Sequence, residues 1–72
     1  MRFIEVSVTM DELHSIEPIR AFLADMGMSV CIERNRVITA YRENITNREI
    51  LDIVNRLPIY GGYIDCDVTI SL

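Results

Sequence analysis

Residues 2–10, Arg2-Phe3-Ile4-Glu5-Val6-Ser7-Val8-Thr9-Met10, alternate without a break. Ile4, Val6, Val8 and Met10 share one side, and Phe3, Glu5, Ser7 and Thr9 the other. That two-residue period marks a strand with one face in a core. A strand of this kind needs a second layer over its apolar face, and the next residues supply one. Beyond the acidic loop Asp11–His14, Ser15 is placed to cap a helix that tolerates Pro18 in its first turn. Ile19, Phe22, Leu23 and Met26 fall on one helical stripe, and Gly27 follows as a stop.

The alternation then resumes, with Met28, Val30 and Ile32 inward against Ser29, Cys31 and Glu33. Arg34, Asn35 and Arg36 interrupt it, and Asn tolerates the left-handed conformation of a tight hairpin. Val37 to Arg42 reads as a third strand whose facing depends on that turn. A three-residue loop buries Ile38 and Ala40 and leaves Val37, Thr39 and Tyr41 outside; a two-residue loop reverses them. Thr46 and Glu49 form a capping box, with Ile45 and Ile50 spaced as a hydrophobic staple. Ile50, Ile53, Val54 and Leu57 are the expected buried stripe of the second helix, Asp52 and Arg56 an exposed pair, and Pro58 its end. Gly61 and Gly62 turn the chain into a last strand expected to bury Ile64, Cys66, Val68, Ile70 and Leu72 and to expose Tyr63, Asp65, Asp67, Thr69 and Ser71.

The order βαββαβ is that of two split βαβ units, so the expected class is α+β: a ferredoxin-like sandwich over residues 1–72. Its four-stranded antiparallel sheet is expected in the order 4-1-3-2, with both helices on one face. Right-handed crossovers are taken to set the first and third strands side by side as a parallel central pair. The loops after those two strands then leave the sheet at the same end.

Seventy-two residues are one domain. Half the residues are apolar and a quarter charged, the balance of a globular chain. No apolar run approaches the roughly 20 residues that cross a bilayer, so no membrane partner is expected. Glu5 stands where a signal peptide would be apolar, and a cytoplasmic location is the default. The net charge of −4 argues against general nucleic-acid binding, which draws its affinity from clustered cations. All seven cations are arginine. Cys31 and Cys66 fall on opposite edge strands and opposite faces, so no bridge within one chain is expected.

Two places are candidates for function. The loop end would gather His14, Arg42, Asn44 and Thr46 at two helix N-termini, where free N–H groups favour an anion. The uncovered sheet face would carry Phe3, Glu5, Tyr41, Asp65 and Asp67. Small enzymes of the acylphosphatase type resemble this chain in element order, yet their phosphate cradle needs Arg and glycines where Asp11 and Glu12 stand here. RNA-binding domains of this topology stack bases on central-strand aromatics ringed by basic residues; here acids flank Phe3 and Tyr41. Metal-chaperone domains carry two closely spaced Cys in the first loop, which this chain lacks. A lone His14 beside Asp11 and Glu12 is not a metal signature, so no metal or cofactor is expected.

The passage Met26-Gly27-Met28-Ser29-Val30, together with Leu57-Pro58 before the last strand, is similar in rhythm to ACT-like regulatory modules. The Gly-containing ligand turn of those modules after the first strand is absent. The resemblance implies a paired regulatory module. Nothing in the sequence sets a nucleophile beside a base, and no catalytic residue is expected. The leading expectation is a non-catalytic interaction or regulatory module that binds itself as a homodimer, or another protein, through the open sheet face or the edge strands. The alternatives are a small-ligand sensor or minor enzyme at His14, Arg42 and Asn44, and an acidic inhibitor of a nucleic-acid-binding protein acting through Glu5, Asp65 and Asp67.

Overall fold

Strand β1 (Phe3–Met10) lies inside a sheet ordered β2-β3-β1-β4, with β2 at Ser29–Glu33, β3 at Val37–Glu43 and β4 at Tyr63–Ser71. Helix α1 (Glu17–Asp25) joins β1 to β2, and α2 (Asn47–Tyr60) joins β3 to β4. The computed structural model describes residues 2–71. The fold is α+β, an open four-stranded antiparallel sheet with two helices. Leu72, expected in the core, lies outside the described residues.

The central pair corrects the expected geometry. β1 and β3 run antiparallel, with Phe3 opposite Glu43 and Thr9 opposite Val37. The crossover through α1 brings β2 back in the direction of β1, and the tight turn after β2 sends β3 the other way. A strand inserted between β1 and β2 therefore opposes both. The loops after β1 and β3 leave the sheet at opposite ends.

That tight turn also settles the facing of β3. Glu33 pairs with Val37, so three residues, Arg34–Arg36, form the loop as a short 3₁₀ turn. Asn35 and Arg36 both take positive φ near 60°. Ile38 and Ala40 consequently join Ile4, Val6, Val8 and Met10 in one core, while Thr39 and Tyr41 face the other way.

Each helix covers this face with a short apolar line. Ile19, Phe22 and Leu23 of α1 and Ile53 and Leu57 of α2 are buried against it. In α1 the cap position falls on Ile16, one residue beyond Ser15, whose hydroxyl instead accepts from the Glu17 N–H at 3.2 Å. α2 starts with the expected box: Thr46 Oγ1 accepts from the Glu49 N–H, and the Glu49 carboxylate accepts from the Thr46 N–H at 3.1 Å. Pro58 does not end α2, which runs on to Tyr60. Pro58 is exposed, so its missing donor frees the Val54 carbonyl on a solvated side of the helix, and Gly61 makes the stop.

The last strand departs furthest from expectation. A bulge lies between the Thr9–Asp65 and Met10–Tyr63 pairs. The added residue shifts the facing, so Tyr63 packs on the core and Ile64 is 72% exposed. Beyond the bulge the expected facing returns: Cys66, Val68 and Ile70 pair with Val8, Val6 and Ile4 on the helix side. Cys66 is half-buried, but Val68 and Ile70 are 37% and 41% exposed. Ile32 at the far end of β2 is uncovered too.

Candidate functional site

The antiparallel central pair separates the four residues expected at the loop end. His14 follows β1, at the end of the sheet where β3 begins. Its carbonyl and that of Asp11 accept from the Arg36 guanidinium, with Nε to Asp11 O at 2.8 Å. Asn44 is at the other end, its N–H donating to the Arg2 carbonyl at 2.8 Å. Thr46 and Arg42 are there also. The structure does not bring His14 to Arg42, Asn44 and Thr46.

Each group is engaged locally. The Asp11 carboxylate accepts from the Leu13 and His14 N–H groups at 3.0 and 2.9 Å and lies 2.9 Å from His14 Nδ1. The His14 contact, foremost, holds the Asp11 carboxyl below its usual range. Arg42 is a pin between the two helices. Its Nη1 donates to the Met26 carbonyl after α1 at 2.8 Å and to the Glu49 carboxylate at the start of α2. The Arg42 guanidinium first, then the Thr46 N–H and hydroxyl, hold the Glu49 carboxyl down to about 2. Thr46 is committed to the capping box. Among the described residues no three His, Cys, Asp or Glu gather as metal ligands.

The uncovered sheet face does assemble the second set. Phe3 and Tyr41 stack with ring centroids 5.4 Å apart. Tyr41 stands opposite Glu5 and donates through its hydroxyl to Glu43 at 2.9 Å. Burial against its neighbours, then Glu43 and Glu5, push the Tyr41 phenol up. Glu5 pairs with Thr69, and Ser7 with Asp67, so Glu5 and Asp67 are diagonal neighbours, while Asp65 sits further along opposite Thr9. Between them is an open depression of about 360 Å³ floored by Ser7, Ser29, Cys31, Thr39 and Thr69. This face is acidic, with its aromatic pair at one end, and Val6, Cys31, Ala40 and Tyr41 also line the depression. Cys31 is exposed on it, Cys66 faces the helices from the opposite edge, and both thiols are free.

A third surface was hidden in the sequence among residues assigned to the core. At about 100° per residue, the sides of α2 can be placed from its buried line, Ile53 and Leu57. Arg56 lies over the Phe22 ring at 4.7 Å and Tyr60 stacks on the same ring at 5.2 Å, so one flank of α2 meets α1. Arg56 is thus turned toward a ring and away from the expected pairing with Asp52. Val54 occupies the opposite flank, which is turned toward β4, while Ile50 still packs against the core and Leu51 points outward. Val54 is 43% and Leu51 60% exposed. Val54 on this flank and Val68 and Ile70 on β4 are the exposed apolar residues of the α2–β4 side. Val54, Val68 and Ile70 keep the spacing of core residues, and only the reach of the helix layer, which no local pattern encodes, sets them apart from buried ones.

No helix among the described residues is long and apolar enough to cross a membrane. No protein-family model matches the chain, nor does any curated protein or solved structure.

Proposed function

We propose that the chain is a ferredoxin-like βαββαβ module that works by binding protein, its own copy first, without catalysing a reaction. The observation that carries this reading is the exposure of Val68 and Ile70 on β4, with Val54 on the helix beside it, along an edge that has no neighbouring strand among the described residues. Apolar side chains flanking free backbone donors and acceptors are what a partner strand requires. A 72-residue core supplies only about 3–5 kcal/mol, and association adds to it. Between the two surfaces expected to serve, edge and open face, the edge is favoured. The open face carries the Glu5 and Asp67 carboxylates, whose desolvation opposes its burial, whereas Val68 and Ile70 lose contact with water on binding. The ligand-sensor reading has no equivalent support, because Arg42 and Thr46 are bound within the chain and His14 lies at the other end.

The test is light scattering during gel filtration over a range of loading concentrations. The native chain is expected to run as a dimer that dissociates on dilution, and Val68→Arg as a folded monomer with an unchanged circular dichroism spectrum. A strict monomer at the highest concentration overturns the reading.

A further inference from the structure

We propose that the occupant of the β4 edge is β4 of a second copy, paired antiparallel about a twofold axis through Val68. The inference rests on the interaction reading above and sharpens it to one partner and one register.

The two edges of the sheet are not equivalent. β2 has five residues and ends in the Arg34–Arg36 turn, whose cations stand at the strand's end. β4 has nine residues, with neither Pro nor a cation among them. Its two faces differ sharply: Cys66, Val68 and Ile70 look toward the helices, and Asp65, Asp67, Thr69 and Ser71 toward the open face.

Continuing the sheet across a twofold axis keeps both helix layers on the same side. Residues facing each other across the seam must then share a face, so the axis passes through a residue of β4. Few positions remain. An axis through Cys66 sets Asp65 directly against Asp67 of the other copy, twice. An axis through Asp67 sets that carboxylate against itself. Like charges directly opposite are destabilising in an antiparallel pair. An axis through Thr69 pairs five residues of β4 as it runs from Tyr63 to Ser71, against seven for an axis through Val68.

An axis through Val68 has none of these faults. It sets Val68 against Val68, Cys66 against Ile70, Asp67 against Thr69 and Asp65 against Ser71. Apolar meets apolar on the helix side, and each carboxylate meets a hydroxyl, which can donate to it, on the open side. The stretch 65–71, Asp-Cys-Asp-Val-Thr-Ile-Ser, is complementary to its own reverse, with acids in the outward positions before Val68 and hydroxyls in those after it. That self-complementarity identifies a second copy as the partner.

Seven paired residues give a seam about 24 Å long at 3.4 Å per residue. Across a molecule whose least extent is 18 Å, this is on the order of 400 Å² in projection, at the small end of specific interfaces, whose standard size is about 800 Å² per partner. An interface of this size suits weak, concentration-dependent association.

Disulfide trapping reads the register. In a Cys31→Ser, Cys66→Ser background, Val68→Cys tests the pair on the axis. The double variant Asp67→Cys, Thr69→Cys tests the flanking pairs, which belong to the other of the two alternating antiparallel pair types. Glu33→Cys on the β2 edge is the control. Mild oxidation is expected to convert most of the chain to covalent dimer in at least one of the first two variants, at least tenfold more than in the control. The single variant Asp67→Cys is expected to stay at the control level. Efficient trapping of Asp67→Cys alone, or of Glu33→Cys, overturns the register. So does a chain that is dimeric by light scattering but trapped in neither test variant, and in that case the interaction reading stands. A chain monomeric at every concentration defeats both.

Discussion

Ile53 and Val54 are neighbours in α2 and would be equivalent if both lined the core, as their spacing in the sequence suggests. In the structure Ile53 is fully buried and Val54 is 43% exposed. Ile53→Ala removes three buried carbons, about 2.4 kcal/mol at 0.8 kcal/mol each, and leaves a cavity that raises the cost to about 3 kcal/mol. Unfolding entropy near 2.1 cal/mol/K per residue gives about 150 cal/mol/K for 72 residues, so this loss lowers the melting temperature by roughly 15–20 °C. Val54→Ala removes two half-solvated carbons, costs at most about 1 kcal/mol within one molecule, and lowers the melting temperature by at most about 7 °C. The assay is thermal unfolding followed by circular dichroism at several protein concentrations. If the α2–β4 flank is an interface, the Val54→Ala deficit grows from about 5 µM to about 500 µM, because the native dimer gains stability by mass action and the variant gains less. The Ile53→Ala deficit does not depend on concentration in this way. Equal losses for both variants at every concentration would refute the assignment of Val54 to the outer flank.

Two further perturbations probe the pins that hold the frame. Glu49 has its carboxyl held down to about 2 from the ordinary 4.5, by Arg42 above all, so its contribution is complete above pH 4.5 and is lost as pH falls through about 2. Melting temperatures of the native chain should therefore decline across that window, and Glu49→Gln should flatten the decline; an unchanged slope would show that the Arg42 contact contributes nothing. Gly62 has φ +77°, and a Cβ there would lie 2.6 Å from the His14 Cβ. Gly62→Ala is expected to cost about 1–3 kcal/mol from backbone strain plus the clash. Adding His14→Gly should restore only the clash portion in chemical denaturation, and full restoration would remove the argument from backbone conformation.

Much of the frame could be read from the residues because its signals are local. β1 is defined by alternation alone, and the Thr46–Glu49 box fixes the start of α2 through hydrogen bonds between residues three apart. The facing of β3 required one fact that the Arg34-Asn35-Arg36 stretch leaves open, the length of its turn, since Asn suits either loop. Long-range geometry was less accessible. The relative direction of β1 and β3 depends on the whole path through α1 and β2, and reversing it dispersed the His14, Arg42, Asn44 and Thr46 group. The β4 bulge adds a residue without a Gly or Pro to mark it, since Tyr63, Ile64 and Asp65 follow the alternation unbroken. The open-face set of Phe3, Glu5, Tyr41 and Asp67 survived because it depends only on parity within strands and on which strands adjoin.

The misreading of Val68 and Ile70 as core is itself informative. Alternation reports which face a side chain takes and says nothing about whether anything covers that face. The inward residues of β1 are 0–3% exposed because both helices pack over the middle of the sheet, with α1 toward β2 and α2 beside it. Tight connections, three residues into α2 and two out of it, hold that helix close to the strands it joins. β4 hangs past its outer flank. In a lone molecule β-branched residues there favour the strand and are partly buried, whereas polar ones would protect the edge better. Here carboxylates guard one face of β4 and aliphatic side chains occupy the other. Carboxylates on the open face forbid the registers through Cys66 and Asp67, while the aliphatic face makes pairing favourable where it is allowed. The strand thus combines an attraction with a restriction, which suits selective association better than a fully protected or a fully apolar edge would.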